Sequence, residues 1–286
     1  MLTVALGLAG ALIFGASDFL GGLAARKTTA LRTTLISFAA AFAVTVAVLP
    51  FTGSVWSASA VWLGLLAGVG GAGALFLLYA CLAIGPMSVL SPITALVAAV
   101  VPIVVALATG EKIGALGIAG LAVALIAVAL IGFVPDKNAQ RASLKAILMA
   151  VGSGALIGSY LILIHRTPKD SGIIPLVADL ASGTVVTAIV MLVLFVVRPA
   201  ARPMALPWKA GLAFAIWCGV TQTLGNIFIV IGLHIGSLSV MAVLNSLYPA
   251  GTIILAGIVL KERVTPLQWV GLVLAIVAAG MLALAS

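Results

Sequence analysis

Two carboxylates, Asp18 and Asp179, fall inside long apolar runs of this chain. Burying the charge of such a group in hydrocarbon is costly unless it is protonated, paired or wetted by a cavity, so each is a functional candidate. Asp18 follows Gly15-Ala16-Ser17 and sits roughly 10 Å short of the end of its run. There it can bind a cationic group or take up and release a proton. The competing reading is a salt bridge to Arg32 that pins two neighbouring helices. Asp179 lies nearer the edge of its own run, where pairing with Lys169 or Arg166 competes with a functional role. Arg32 is also a candidate partner for a carboxylate.

Amides form the second polar group. The run Trp217-Cys218-Gly219-Val220-Thr221-Gln222-Thr223-Leu224-Gly225-Asn226 is the most polar stretch inside an apolar segment. Gln222 and Asn226 are four apart and share one face of a helix. Amides surrounded by lipid need hydrogen-bond partners, supplied either by neighbouring helices or by a wet cavity. Ser91-Pro92-Ile93-Thr94 and Asn245-Ser246-Leu247-Tyr248-Pro249 place prolines inside two further apolar runs. Each proline removes a backbone bond and frees a carbonyl, which makes Pro92, Pro102 and Pro249 candidate hinges. The substrate- or proton-binding set is therefore Asp18, Gln222, Asn226, Asn245, Tyr248, Ser91 and Thr94. Asp179, Arg32, Ser17 and Trp217 form a secondary set. Tyr79 and Tyr160 read as packing or interface residues. His165 and His234 fall at segment ends, where interfacial placement outweighs a proton relay. The glycines from Gly64 to Gly73 read as close helix contacts.

These residues must be positioned by helices in a bilayer. The 286-residue chain is 64% hydrophobic and 7% charged, with a mean hydropathy of +1.38, far from the composition of soluble domains. A spanning helix needs roughly 20 apolar residues. Ten segments qualify, near 2–24, 33–50, 60–82, 88–109, 114–134, 145–165, 173–197, 210–233, 238–260 and 266–285. No length remains for a soluble domain. The first segment lacks the basic flank of a secretion signal and is read as retained. The formal charge of +8 is spread singly or in pairs between apolar segments, which argues against a nucleic-acid partner. Cys81 and Cys218 lie inside predicted helices and read as small buried apolar residues.

Residues 79–132 and 230–283 align without a gap at an offset of 151. Leu82, Ile84, Gly85, Ser88, Glu111 and Gly120 meet Leu233, Ile235, Gly236, Ser239, Glu262 and Gly271. Glu111 and Glu262 are expected to cap or pair at the membrane surface. Gly71 and Leu75 occupy the places of Gln222 and Asn226. Ala16-Ser17 and Gly158-Ser159 extend the match weakly to the first helix of each half. The expected units are residues 1–136 and 137–286, each a five-helix repeat. Because five is odd, the halves enter the membrane from opposite sides and form an inverted repeat around a central cavity. Arg26, Lys27, Arg32, Lys137, Arg141, Lys145, Arg198, Arg202, Lys209, Lys261 and Arg263 gather on one side, against Lys112, Arg166 and Lys169 on the other. The positive-inside rule then puts both termini outside.

The segment Ser246-Leu247-Tyr248-Pro249 through Leu260-Lys261-Glu262-Arg263-Val264-Thr265 to Gly271 resembles the EamA-type, ten-helix transporters of the drug/metabolite transporter superfamily. So does its counterpart, Pro102 through Gly110-Glu111-Lys112-Ile113 to Gly120. The resemblance covers essentially the whole chain. It implies an inner (plasma) membrane carrier with a central cavity, usually an exporter of small metabolites such as amino acids, and termini in the cytoplasm, opposite to the charge count. The chain departs from the family with Phe14-Gly15 where a Trp-Gly pair is common. It also has Gly15 near the place of the small multidrug members' glutamate, with Asp18 about one turn further on.

The expected function is a secondary transporter of amino acids or amines, working by alternating access and coupled to protons. A lipid or lipid-head-group flippase of the same fold is the alternative. The sequence holds no nucleophile–base arrangement and no clustered metal ligands, so no enzyme activity, cofactor or metal is expected. The expected partners are the bilayer, a small-molecule substrate and protons, with the protein a monomer or weak dimer.

Overall fold

The computed structural model describes residues 2–85, 87–111, 113–132, 143–197, 209–259 and 265–285. Among them there is no β-strand. Eleven α-helices follow one another: α1 (Leu2–Lys27), α2 (Ala30–Val48), α3 (Ala58–Ile84), α4 (Met87–Ala108), α5 (Ala115–Gly132), α6 (Leu144–His165), α7 (Ile174–Val197), α8 (Lys209–Ile235), α9 (Leu238–Asn245), α10 (Tyr248–Val259) and α11 (Pro266–Ala285). Seven of them, α1 to α4 and α6 to α8, are long and apolar enough to cross a membrane. The apolar helices at Ala115–Leu130 and Pro266–Leu282 are shorter. Length alone therefore does not return ten spans. The boundary expected at residues 136 and 137, Glu262, and the basic residues Lys137, Arg141, Arg198, Arg202, Lys261 and Arg263 lie outside the described residues.

The ninth predicted segment, 238–260, is not one helix. It breaks at Ser246-Leu247 into α9 and α10. Pro249 has no N–H to offer the Asn245 carbonyl, and its ring disfavours helical backbone at Tyr248. The Ser246 N–H closes α9 on the Ala242 carbonyl at 3.0 Å, and the Ala250 N–H opens α10 on the Leu247 carbonyl at 3.0 Å. Pro92 and Pro102, by contrast, lie within the continuous α4.

Lipid tails are as apolar as the side chains, so burial against them gives helices little reason to associate. Close contact must supply the attraction, and small residues supply the contact. Gly68 of α3 lies so close to α7 that an added Cβ would overlap the Asp179 carbonyl. Gly219 of α8 approaches the Ser37 carbonyl of α2 in the same way. Gly15 of α1 faces the Tyr248 carbonyl of α10, and Gly154 of α6 faces the Thr94 carbonyl of α4. Hydroxyls reinforce these seams: Ser37 Oγ donates to the Ala215 carbonyl at 3.1 Å, and Ser182 Oγ to the Leu65 carbonyl at 2.8 Å.

The helices thereby form two groups. In one, α1 packs on α8, α9 and α10, and α2 packs on α8. In the other, α6 packs on α3 and α4, and α7 packs on α3. Contacts between the groups run through α2 with α7 and α4 with α9, while α5 lies along α11 at the side. Large apolar side chains such as Trp62 and Ile276 point outward, as lipid-facing residues do.

Candidate functional site

A cavity of about 80 Å³ lies between the two groups, roomy enough for several waters or part of a small molecule. Its polar lining comprises Asp18 from α1, Tyr160 from α6, Asp179 from α7, Gln222 and Asn226 from α8, Asn245 from the end of α9 and Tyr248 from the start of α10. Phe14 and Phe38 add two aromatic rings. Among the described residues, no Lys, Arg or His belongs to the wall. The break in the ninth segment has a direct consequence here: it ends α9 at Asn245 and begins α10 at Tyr248, so both side chains reach one cavity.

Asp18, Asp179, Gln222, Asn226 and Asn245 are all more than nine-tenths buried. Among the described residues, Asp179 Oδ1, Gln222 Oε1, Asn245 Oδ1 and the Tyr160 hydroxyl have no hydrogen-bond partner. Asp179 borders a point where α3 offers only a hydrogen: a Cβ on Gly71 would lie 3.4 Å from Asp179 Oδ1. Natural interiors satisfy nearly all buried polar atoms. A cluster of unsatisfied oxygens around a cavity is therefore a candidate ligand site.

The remaining expected residues fall elsewhere. Ser91 enters only through its backbone, accepting the Tyr248 hydroxyl at 3.2 Å; its own hydroxyl is buried without a partner among the described residues. Thr94 Oγ1 donates to the Leu90 carbonyl within α4, at 3.1 Å, and is not part of the wall. Ser17 donates to the Cys218 carbonyl at 3.0 Å, and Tyr79 OH meets Cys218 Sγ at 3.1 Å. This polar knot lies beside Asp18 rather than in the wall. Arg32 is 1% exposed and outside the wall. Lys169 and Arg166 do not line the cavity either.

Trp217 is a correction: it is 60% exposed and absent from the wall. Five residues along a helix turn through about 140°, which points Trp217 away from the face shared by Gln222 and Asn226. Tyr160, expected to pack, lines the cavity instead. The signal was present in the weak match of Ala16-Ser17 with Gly158-Ser159, which puts Tyr160 in the place of Asp18. Glu111 Oε1 is buried without a partner among the described residues.

The two histidines close one end of the bundle. His165 Nδ1 lies 3.0 Å from the Leu233 carbonyl and must donate to it. Thr167 Oγ1 gives its single proton to the Ile164 carbonyl at 2.7 Å, so His234 Nε2 is the donor in their 2.9 Å contact. Both bonds tie the end of α6 to the end of α8, one helix from each group.

A bundle of apolar helices around a buried polar cavity is an arrangement suited to a membrane transporter. Residues 144–284 match the model of the EamA-like transporter family. Residues 144–284, about half of the chain, thus belong to the EamA-like transporter family of the drug/metabolite transporter superfamily. A solved structure described as "Crystal structure of protein" shares the fold: TM-score 0.69, 17% sequence identity, with 99% of this chain and 96% of that chain covered. No curated protein matches the chain.

Proposed function

We propose that the protein is a secondary carrier that exports small polar metabolites, amino acids or amines, from the cell across its inner membrane by alternating access. The observation that carries this reading is the convergence of Asp18, Asp179 and three amides on one cavity between two packed helix groups. In the proposal α1, α2, α8, α9 and α10 rock as one body against α3, α4, α6 and α7. The two halves are an inverted repeat. Gly68 and Gly219 stand 151 residues apart and make the same close approach to a facing carbonyl, which supports extending the repeat beyond the aligned segments. The broken ninth segment supports the carrier reading, since discontinuous helices commonly form the substrate site of such carriers.

Asp18 then binds a proton or a cationic group. Asp18→Asn, reconstituted in proteoliposomes, is expected to abolish proton-dependent transport while the purified variant unfolds at nearly the wild-type temperature. Unchanged, still proton-dependent flux through that variant would remove Asp18 from the mechanism.

A further inference from the structure

We infer that the cavity binds a small organic cation bearing an ammonium or guanidinium group and no carboxylate, an amine rather than an amino acid. This inference rests on the carrier reading and narrows its substrate. Three observations lead to it.

The first is charge. Among the described residues the wall contains two carboxylates, Asp18 and Asp179, and no basic side chain. An amino acid brings a carboxylate of its own, which a cationic side chain or free N–H donors must receive. Arg32, the basic residue nearest to that role in sequence, is buried outside the wall. The start of α10 does not replace it. A helix N-terminus attracts anions through free N–H groups, but Pro249 has none and the Ala250 N–H is committed to the Leu247 carbonyl. A carboxylate placed here would meet two acids and no cationic side chain among the described residues.

The second is hydrogen-bonding capacity. Asp179 Oδ1, Gln222 Oε1 and Asn245 Oδ1 belong to side chains more than nine-tenths buried and have no donor among the described residues. They are acceptors. An ammonium brings three donors and a guanidinium five, with no acceptor to leave unmatched.

The third is the apolar part of the wall. Phe14, Phe38, Tyr160 and Tyr248 contribute four aromatic rings beside the two acids. Ring faces attract cations, most strongly where water is excluded. Acids with aromatic rings select an organic cation over an inorganic one, because the rings also pack against its carbon chain.

Matched pairs that differ by one carboxylate test this directly: cadaverine against lysine, agmatine against arginine, tyramine against tyrosine. Binding to the purified full-length protein is read by thermal shift and transport by counterflow in proteoliposomes. The amine of at least one pair is expected to bind at least tenfold more tightly than its amino acid. That preference should fall at least tenfold in Asp179→Asn and in Asp18→Asn, each checked for folding by its unliganded unfolding temperature. Should either fail to fold, Tyr160→Phe and Gly71→Ala, which alter the wall beside the acids, should each weaken the amine selectively. Equal or tighter binding and counterflow of the amino acids overturns the inference and leaves the carrier reading standing. A folded protein that moves neither member of any pair overturns both.

Discussion

The Tyr248 hydroxyl, at the first residue of α10, donates to the Ser91 carbonyl of α4 at 3.2 Å. The two residues belong to different helix groups, so this bond crosses the boundary at which the carrier would open. It is also buried: Tyr248 is 3% exposed and Ser91 2%.

Tyr248→Phe keeps the ring in the wall and removes only the bond. A buried neutral hydrogen bond contributes about 1 kcal/mol, which for a chain of this size lowers the unfolding temperature by about 2–4 °C. The same energy biases two conformations by about fivefold, so the exchange rate in counterflow is expected to change by a similar factor. Tyr248→Ala, which also deletes the ring, should abolish transport. Differential scanning fluorimetry and counterflow check the two effects separately.

The glycine seams predict a second pattern. Gly68→Ala and Gly219→Ala each force a methyl group against a carbonyl of the facing helix. Overpacking of this kind costs about 1–3 kcal/mol. Gly70→Ala adds its methyl where nothing lies within 4 Å and is expected to be neutral or stabilising by about 0.5 kcal/mol, since it replaces a poor helix former. Unfolding of the three variants in mixed micelles ranks them. A Gly70 variant as unstable as the other two would contradict the packing described above.

The histidine contacts predict a third. Thr167→Val removes the acceptor of the buried His234 N–H and should cost about 1–3 kcal/mol, the penalty of an unsatisfied buried donor. Thr167→Ser restores the hydroxyl and should recover most of that loss. Because the contact ties α6 to α8, the valine variant should also expose a cysteine placed at Asn226 to polar thiol reagents several-fold faster. Equal loss in the serine variant would point to the methyl group instead of the hydrogen bond.

Much of this could be read along the chain. Hydropathy is a local property, and in lipid every backbone group must be paired within its own segment, so apolar runs become helices wherever they are long enough. The rarity of acids inside such runs singled out Asp18 and Asp179, and helical spacing put Gln222 and Asn226 on one face. Pro249 was visible as well, but only the fold distinguishes it from its neighbours in kind. Pro92 and Pro102 have the same local chemistry, yet α4 continues through both, while the ninth segment ends one helix and starts another.

What the sequence by itself determined is the helical character of the apolar segments and most of the polar residues that they carry. Which of those residues meet was decided by the tertiary structure, because in a membrane the direction in which a helix faces is set by its contacts and not by an apolar stripe. Gly68 against the Asp179 carbonyl and Gly219 against the Ser37 carbonyl fix the rotation of α3 and α8 against α7 and α2. That rotation turns Gln222 and Asn226 inward and Trp217 toward lipid, leaves Arg32 outside the wall and brings Tyr160 into it. Close approach between residues far apart in the chain thus made one acid- and amide-lined cavity from side chains that hydropathy could only mark as out of place.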